Sequence, residues 1–346
     1  MEEDMEEETS PLSYEDLAQI EDEFEQIDTE IMRKQYILSA PIYAKRQAAI
    51  ARIPHFWPLV FEQAPVDIDQ YIQPSDSRLL AECLTGLNVT RFEVPLGPER
   101  ISEEVGNPRS VCITFEFAEN DWFTDKVLEK KFWYRRAADG WTGLVSEPVK
   151  IHWKKGKDLT MGLTDAAVRL WEARQKAGDM RAVKLPEYEA LAKKVASDQS
   201  PSFFAWFGFV TARRWVSAEE SAKAEKEKES RRNKRKEGEE KAESPEIDLS
   251  DDALDDQNAE VMPTGDELAI SIGDDLWPGA LKYFTEAQEN ADDEMSEADF
   301  EDDDAEGGND DEAPIDIRSL VTSKSTDRDK SKAKAEDGPP KKKQKK

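Results

Sequence analysis

Apolar residues recur every three or four positions near the start of the chain and predict one long helix over residues 12–53. The positions of this repeat are Leu17, Ile20, Phe24, Ile27, Ile31 and Leu38. Lys34 interrupts the repeat, and Pro41 is expected to kink or split the helix. So narrow an apolar seam on an otherwise charged helix is typical of a helix that pairs with a partner helix. The length, roughly 60 Å, favours a dimer spine, and an amphipathic helix packed on its own domain is the alternative.

Alternation of apolar and polar residues predicts a β-sheet in the following part of the chain. The alternation is clearest where Val111, Ile113 and Phe115 enclose Cys112 and Thr114. The predicted strands cover residues 84–94, 111–117, 127–136 and 149–153. Because the connections between them are short and rich in turn residues, the strands are expected to form an antiparallel meander with one apolar face and one partly solvated face.

Helices and aromatic residues complete the predicted domain. Residues 164–177 and 186–196 are predicted helices. The aromatic window 201–207 is predicted to fill the core, with a ligand platform as the less favoured alternative. The last predicted element covers residues 265–289. The side chains expected to fix it to the core are Trp277, Leu281, Tyr283 and Phe284. The whole pattern predicts an α+β fold in which a four-stranded antiparallel sheet packs on helices.

Charge divides the chain into segments. The net charge is −29, but 27 acidic residues and one basic residue lie within 243–312, and the first thirty residues hold 14 acidic residues and no basic one. The predicted segments are an acidic disordered arm (1–11), the long helix (12–53), a domain (54–216 and 261–290), a charged insertion that is disordered or loosely helical (217–260) and an acidic disordered tail (291–346). Such acidic blocks attract cationic partners and repel nucleic acid. A purely solubilising tail is the alternative.

Three basic clusters interrupt this acidic background. Lys154, Lys155 and Lys157 follow the last predicted strand, where contact with DNA and pairing with the chain's own acidic tail are both open. Residues 231–236, RRNKRK, fit a nuclear localisation signal, a nucleic-acid contact or a solvated charge run. The C-terminal cluster consists of Lys341, Lys342, Lys343, Lys345 and Lys346. It predicts nuclear import, with shuttling to the cytoplasm or a frayed basic terminus as alternatives.

The sequence lacks the usual motifs for nucleotide, metal and redox chemistry. His55 and His152 are the only histidines, which nearly excludes histidine-based metal or triad chemistry. Cys83 and Cys112 are too few for a disulfide scaffold and are expected to be buried thiols. No apolar run is long enough to span a bilayer or resembles a signal peptide. The chain is therefore expected to be a non-enzyme without cofactor, metal or membrane partner, and no catalytic residue is assigned.

Five aromatic-rich stretches stand out: AIARIPHFW (49–57), ITFEFAENDWFTDKVLEKKFWY (113–134), IHWKKGKDLT (151–160), PSFFAWF (201–207) and GDDLWPGALKYF (273–284). In this order, followed by an acidic segment, they resemble the nucleosome assembly protein family, and more closely its SET/template-activating-factor branch. The similarity covers most of residues 12–290. Two features depart from it, because the charged segment 217–260 is longer than the usual connection and a basic run follows the acidic tail.

The resemblance implies a homodimer shaped like headphones, in which the long first helices pair antiparallel and each carries an α+β earmuff domain. The six apolar residues of the first helix are then the dimer contacts. It also implies a histone chaperone that binds core histones and promotes nucleosome assembly and disassembly without ATP. Because some fungal relatives assist a histone acetyltransferase and some animal relatives inhibit a protein phosphatase, regulation of a partner enzyme is the alternative function. A purely structural coiled-coil protein would leave the sheet and the tail unexplained.

Carboxylates are the expected histone contacts, since histones are strongly cationic and exposed ion pairs of ~0–1 kcal/mol each exchange readily. By resemblance, the domain candidates are Glu187, Glu189, Asp266, Glu267, Asp274 and Asp275. The tail candidates are Asp292, Asp293, Glu294, Asp302, Asp303 and Asp304. For the domain residues, an ordinary exposed acid or an interaction with a helix dipole is the alternative.

Overall fold

A computed structural model of the 346-residue chain describes residues 14–96, 106–197, 201–236 and 258–298. The helices are α1 (Tyr14–Ile50), α2 (Phe56–Glu62), α3 (Val66–Asp69), α4 (Pro74–Cys83), α5 (Leu163–Ala177), α6 (Pro186–Ser197), α7 (Ala218–Lys236), α8 (Gly265–Ser271) and α9 (Ala280–Ala298). The strands are β1 (Leu84–Thr90), β2 (Val111–Phe117), β3 (Val127–Arg136) and β4 (Thr142–Ser146). A 3₁₀ helix, Phe203–Gly208, and a π-helical segment, Ile272–Leu276, complete the architecture.

Helix α1 is continuous over 37 residues and includes Pro41. The expected split at this proline does not occur, because a proline removes only one backbone hydrogen bond and the following turns are held by tertiary contacts. The Tyr43 ring lies 4.3 Å from the ring of Trp277. The side-chain amide of Gln47 donates a 2.7 Å hydrogen bond to the carbonyl of Leu87 in β1. These contacts fix the C-terminal half of α1 to the domain.

The predicted antiparallel meander is confirmed, with strand order β1-β2-β3-β4. The prediction of the fourth strand was wrong, because β4 covers Thr142–Ser146 and residues 149–153 contribute only an isolated bridge between Phe123 and Trp153. The chain reverses at once after β3 through a turn in which Gly140 has φ +88°. This left-handed conformation suits glycine and lets a five-residue strand return directly against β3.

The aromatic window forms the centre of the core, as predicted. Phe203, Phe204, Trp206 and Phe207 are fully buried and pack against the inward side chains of the sheet. The Phe115 ring of β2 lies 5.9 Å from both Phe203 and Phe207, in edge-to-face geometry. The two cysteines are also buried as free thiols. A continuous apolar core therefore joins the sheet to the helices on its inner face.

Asp76 of α4 fixes the start of the 3₁₀ helix. Its buried carboxylate accepts hydrogen bonds from the Ser202 hydroxyl at 2.5 Å and from the Phe203 backbone N–H at 2.7 Å. The backbone N–H of Gln73 donates a third, at 3.0 Å. Burial raises the pKa of the Asp76 carboxyl, and these three donors oppose that shift. One side chain thus links α4 to the segment that fills the core.

Replacing Asp76 with alanine is expected to lower the free energy of unfolding by about 2–4 kcal/mol, because the three donors lose their buried acceptor. Urea denaturation followed by circular dichroism measures the loss. The matched control is Asp69→Ala, which removes an exposed carboxylate from the neighbouring α3 and should cost less than about 0.5 kcal/mol. Equal losses in the two variants would contradict the role given to Asp76.

Lys130 lies in β3 with its ammonium group in the core. Its Nζ donates hydrogen bonds to the carbonyls of Glu147, Phe207 and Phe209 at 2.9–3.1 Å. The side chain is fully buried, and burial lowers the pKa of Lys130 to about 7. Three carbonyls satisfy the three donors of an ammonium group. Lys130 therefore links β3 to the residue that follows β4 and to the end of the 3₁₀ helix.

Glu260 supplies the opposite charge at the same place. Its carboxylate accepts hydrogen bonds from the backbone N–H groups of Val210, Thr211 and Val261 at 3.0–3.2 Å. Burial raises its pKa to about 7, and the charge of Lys130 opposes that shift. This pair joins the segment after the 3₁₀ helix to the chain that returns after residue 257.

The segment predicted to be a disordered or loosely helical insertion contains a helix, α7, which contacts the domain. The Ser221 hydroxyl accepts a hydrogen bond from the backbone N–H of Arg136 at the end of β3. Lys228 Nζ lies 2.9 Å from Asp22 and 2.8 Å from Glu25 of α1. Apolar periodicity could not reveal this helix, because it is held to β3 and α1 mainly through small and charged side chains.

The last predicted element is fixed to the core by fewer residues than expected. Trp277 and Tyr283 are buried, and the Phe284 ring stacks 4.8 Å from that of Phe56 in α2. The prediction for Leu281 was wrong, since 53% of this residue is exposed. Three of the four residues nevertheless anchor α9 to the domain.

Candidate functional site

Helix α1 has two faces, and only one contacts the domain. The half-buried or buried residues of this inner face are Asp22, Glu25, Thr29, Met32, Tyr36, Tyr43, Gln47 and Ile50. They repeat every three to four positions, as expected for one side of a helix. The N-terminal part of this face is charged and contacts α7, whereas the C-terminal part is more apolar and contacts the sheet and the π-helical segment. The helix therefore packs on its own domain through this inner face, which does not include the apolar seam identified from the sequence.

The predicted apolar stripe lies on the other face of α1. Its exposed fractions are Leu17 51%, Ile20 46%, Phe24 59%, Ile27 54%, Ile31 56% and Leu38 73%. Nine residues, or about two and a half turns, separate Ile27 from Tyr36, so the two side chains point in opposite directions. The adjacent Ile42 is also exposed, at 65%. A row of large apolar side chains, interrupted at Lys34, is thus left without cover over about 38 Å of helix.

Charge is divided along α1 as well. Between Tyr14 and Glu30 there are eight acidic residues and no basic one. From residue 31 to 50 there are four basic residues and no acidic one. The helix thus has an acidic half and a basic half, and both flank the same apolar stripe.

The six predicted domain carboxylates lie on three elements. Glu187 and Glu189 are in the first turn of α6, which packs on α5. Asp266 and Glu267 are in the first turn of α8. The third pair, Asp274 and Asp275, lies in the π-helical segment. The α8 pair and the π-helical pair lie on consecutive elements, whereas the α6 pair lies on a helix that packs on α5.

Asp274 and Asp275 have partners within the domain. Asp274 forms an ion pair with Arg91, which follows β1. Asp275 accepts a 2.8 Å hydrogen bond from the Tyr283 hydroxyl. Burial and this bond raise the pKa of Tyr283 to about 12. These two carboxylates therefore also help to hold the π-helical segment against β1 and α9.

Sequence reasoning missed two carboxylates beside the start of α8. Asp67 and Asp69 of α3 are exposed, and α3 contacts α8. The Tyr71 hydroxyl, just after α3, is 2.7 Å from the Thr264 hydroxyl, just before α8, and this hydrogen bond connects the two elements. Acidic residues in so short a helix give no periodic signal, so only tertiary contact places them beside α8.

We call the resulting surface the α3–α8 patch. Its members are Val66, Asp67, Asp69, Asp266, Glu267 and Ile270. Val66 is 77% exposed and Ile270 is 49% exposed. Burial raises the pKa of the Asp266 carboxyl, which is the least accessible of the four. Carboxylates flanked by exposed apolar side chains can bind a partner that is both cationic and partly apolar.

The three candidate lysines divide into one structural and two accessible side chains. Lys154 Nζ donates a hydrogen bond to the carbonyl of Asn120, and its backbone N–H bonds to the carbonyl of Trp122. It thereby holds the connection between β2 and β3. Lys155 and Lys157 are exposed in the loop that follows, where they can meet an anionic partner.

The tail candidates lie at or beyond the end of the described chain. The backbone of α9 continues to Ala298, so Asp292, Asp293 and Glu294 belong to its last turns. Asp302, Asp303 and Asp304 lie outside the described residues, as do residues 1–13 and the C-terminal cluster Lys341, Lys342, Lys343, Lys345 and Lys346.

Within 14–96, 106–197, 201–236 and 258–298, no three His, Cys, Asp or Glu side chains come together as metal ligands. No helix in this part of the chain has the length and apolar character required to cross a membrane.

The chain matches one family model and several characterised sequences. The model described as "Nucleosome assembly protein (NAP)" matches residues 20–287. C36B7.08c of Schizosaccharomyces pombe, whose name describes a nucleosome assembly protein, is 29% identical over 302 residues, covering 84% of this chain and 87% of that protein. Vacuolar protein sorting-associated protein 75 of Saccharomyces cerevisiae is 26% identical with the same coverage. Protein SET of Drosophila melanogaster is 35% identical over 127 residues, covering 35% of this chain and 41% of SET.

Solved structures give similar matches. The crystal structure of Ccp1 is 28% identical, with a TM-score of 0.45, and covers 80% of this chain and 95% of Ccp1. The crystal structure of Vps75 is 23% identical, with a TM-score of 0.46, and covers 79% of this chain and 96% of Vps75.

Proposed function

Because the chain belongs to the nucleosome assembly protein family, we propose that it is a histone chaperone that binds core histones and passes them to or from DNA without ATP. The observation that carries this proposal is the α3–α8 patch, in which two contacting helices carry both exposed carboxylates and exposed apolar side chains. Histones are strongly basic, and they also expose apolar surface when they are not bound to DNA or to one another. A surface with both properties matches such cargo better than a uniformly charged one.

We propose that the working unit is a homodimer joined through the stripe of α1. The stripe is nearly symmetric about residue 29, since Ile27 and Ile31, Phe24 and Lys34, and Ile20 and Leu38 are related pairs. In an antiparallel pair each residue meets its counterpart, so Ile27 lies opposite the partner's Ile31 at the two-fold axis. This register buries the uncovered stripe and accounts for Lys34, which then lies beside the acidic half of the other helix.

The charge pattern of α1 favours this direction. In a parallel pair the acidic half would face the partner's acidic half, which repels. In the antiparallel pair the acidic half faces the partner's basic half. Each exposed pair contributes only ~0.2–1 kcal/mol, so charge sets the direction while apolar burial supplies most of the affinity.

Weak individual contacts suit a protein that must release its cargo. An exposed carboxylate–ammonium pair contributes ~0–1 kcal/mol and exchanges rapidly. Several such contacts on the patch, with further carboxylates from the acidic tail, give useful affinity through their number. DNA, with its much higher charge density, then competes for the same basic residues.

Neutralising the patch is expected to weaken histone binding about ten- to 150-fold. The variant Asp67→Asn, Asp69→Asn and Glu267→Gln removes three charges, each contributing ~0.5–1 kcal/mol. Fluorescence titration of the full chain with each core histone pair, at about 150 mM salt and without nucleotide, measures the change. The wild-type affinity should fall steeply as salt is raised.

The matched control removes the same charge elsewhere. Glu119→Gln, Asp121→Asn and Glu172→Gln replace three exposed carboxylates in the β2–β3 connection and α5. We expect a change below about three-fold. If both triple variants weaken binding equally, only net charge matters and the patch has no special role. If the wild-type protein binds neither histone pair, the proposed function is wrong.

A further inference from the structure

Helix α7 crosses α1 at a well-defined ionic contact. Lys228 Nζ lies 2.9 Å from an Asp22 oxygen and 2.8 Å from a Glu25 oxygen. Glu25 also accepts a 3.2 Å hydrogen bond from Arg109. Partial burial lowers the pKa of Lys228, but hydrogen bonds to the two carboxylates outweigh it and raise the pKa overall. The acidic half of α1 is thereby attached to α7 within one protomer.

Beyond this contact, α7 becomes strongly basic. Its last six residues, 231–236, read RRNKRK and hold five cations. Arg231 has a carboxylate of Glu227 at 3.8 Å. The Nε atom of Arg232 is buried and has no hydrogen-bond partner among the described residues. We call residues 231–236 the basic end of α7. Of its two arginines with described side chains, Arg231 has only this long contact and Arg232 keeps an unpartnered Nε.

Beyond the same contact, α1 leads to an acidic segment. Asp22 is eight residues from Tyr14, where α1 begins. The thirteen residues before Tyr14 hold six carboxylates and no basic side chain. The carboxylates belong to Glu2, Glu3, Asp4, Glu6, Glu7 and Glu8. From the Lys228 contact, charge therefore becomes acidic toward the start of α1 and basic toward the end of α7.

The acidic segment can reach the basic end at any crossing angle of the two helices. At about 1.5 Å per residue, Tyr14 lies ~12 Å along α1 from Asp22, and Lys236 lies ~12 Å along α7 from Lys228. With ~10 Å between packed helix axes, Tyr14 and Lys236 are at most ~35 Å apart. An extended chain from Tyr14 back to Glu2 spans up to ~40 Å, and one back to Glu8 up to ~20 Å. The far end of the segment therefore reaches Lys236 even at the largest separation, and the residues nearer Tyr14 reach it when the helix ends lie closer. No rearrangement of the domain is needed.

We propose that residues 2–8 dock on the basic end of α7 in the same protomer and shield it from other polyanions such as DNA. The acidic tail is the other source of carboxylates in this chain. It follows α9, which packs on α2 near the opposite end of α1, about 42 Å along the helix from Asp22. The arm has the shorter tether and hence the higher effective concentration. This inference does not rest on histone binding.

Zero-length carbodiimide cross-linking of the full chain tests the contact, because it joins a lysine to a carboxylate only when they touch. The links from Lys228 to Asp22 and Glu25 are an internal positive control. We expect Lys234 and Lys236 to link to carboxylates within residues 2–8, located from fragment masses. When ¹⁴N-labelled and ¹⁵N-labelled proteins are mixed before cross-linking, both peptides of each link should carry the same label, because the link forms within one protomer. Links to the tail, links between protomers, or no links at these lysines while Lys228 is linked would overturn the proposal.

DNA affinity provides a second test. Replacing the six arm carboxylates by amides (Glu→Gln, Asp→Asn) is expected to strengthen binding to a short DNA duplex about ten-fold at low salt, because the basic end becomes accessible. Replacing Arg231, Arg232, Lys234, Arg235 and Lys236 by glutamine in the same variant should cancel that gain. A gain that survives the second change would show that the arm acts only through net charge, and no gain would show that it shields nothing.

Discussion

Replacing Ile27 and Ile31 by aspartate is expected to convert the dimer into a monomer. The proposed two-fold axis brings four of these isoleucines together, two from each protomer. Each contributes about 1.5–3 kcal/mol when buried, so their loss costs ~6 kcal/mol or more, a weakening of at least about 10⁴-fold. Sedimentation equilibrium should then report a mass near the 39.3 kDa of one chain instead of twice that value.

The control for this prediction keeps the charge change and moves it off the stripe. Gln26→Asp with Ala48→Asp introduces two carboxylates at exposed positions of α1 and should leave the dimer intact. The far-ultraviolet circular dichroism of both variants should match that of the wild type, because neither variant changes the inner face of α1. A wild-type protein that is monomeric, or a stripe variant that stays dimeric, would show that the exposed apolar face has another purpose.

Replacing Lys130 by methionine is expected to cost about 3–5 kcal/mol of unfolding free energy. The change removes the ammonium donor that three buried carbonyls share, and it leaves the buried Glu260 carboxylate without its opposite charge. Chemical denaturation with guanidinium chloride measures the loss. Adding Glu260→Gln to the same chain should restore part of it, because the uncompensated charge disappears.

The neighbouring lysine provides the control. Lys131 points to the other side of the sheet, 42% of its side chain is exposed, and it pairs with Glu129 at 3.1 Å. Lys131→Met should cost below about 1 kcal/mol. If the two lysine variants lose equal stability, or if Glu260→Gln restores nothing, the buried pair is not what secures this part of the fold.

The two α1 faces explain how one helix can serve both fold and assembly. The inner face is attached to the domain by side chains of several kinds, including Gln47 with its bond to β1 and Glu25 with its contact to α7. The outer face is apolar and, in one protomer, uncovered. An assembly built on this face carries each domain at a fixed position on the helix, because the inner contacts do not depend on the partner.

The sequence by itself determined the elements whose signal is local. The spacing of apolar residues predicted α1 and its stripe, the alternation in β2 predicted the meander, and the aromatic window was correctly expected in the core. Five quoted stretches carried the family resemblance. In each case, the neighbouring residues in the chain contain the information, because helix and strand periodicity decide which side chains share a face.

Only the tertiary structure decided the position of elements and side chains that have a weak local sequence pattern. It placed the fourth strand at Thr142–Ser146, left Leu281 exposed, ordered α7 against α1, and brought Asp67 and Asp69 beside α8. The physical reason is common to all of these. A short strand, an isolated leucine, a charged helix and two surface acids have no periodic pattern of their own, so distant parts of the chain determine their environment.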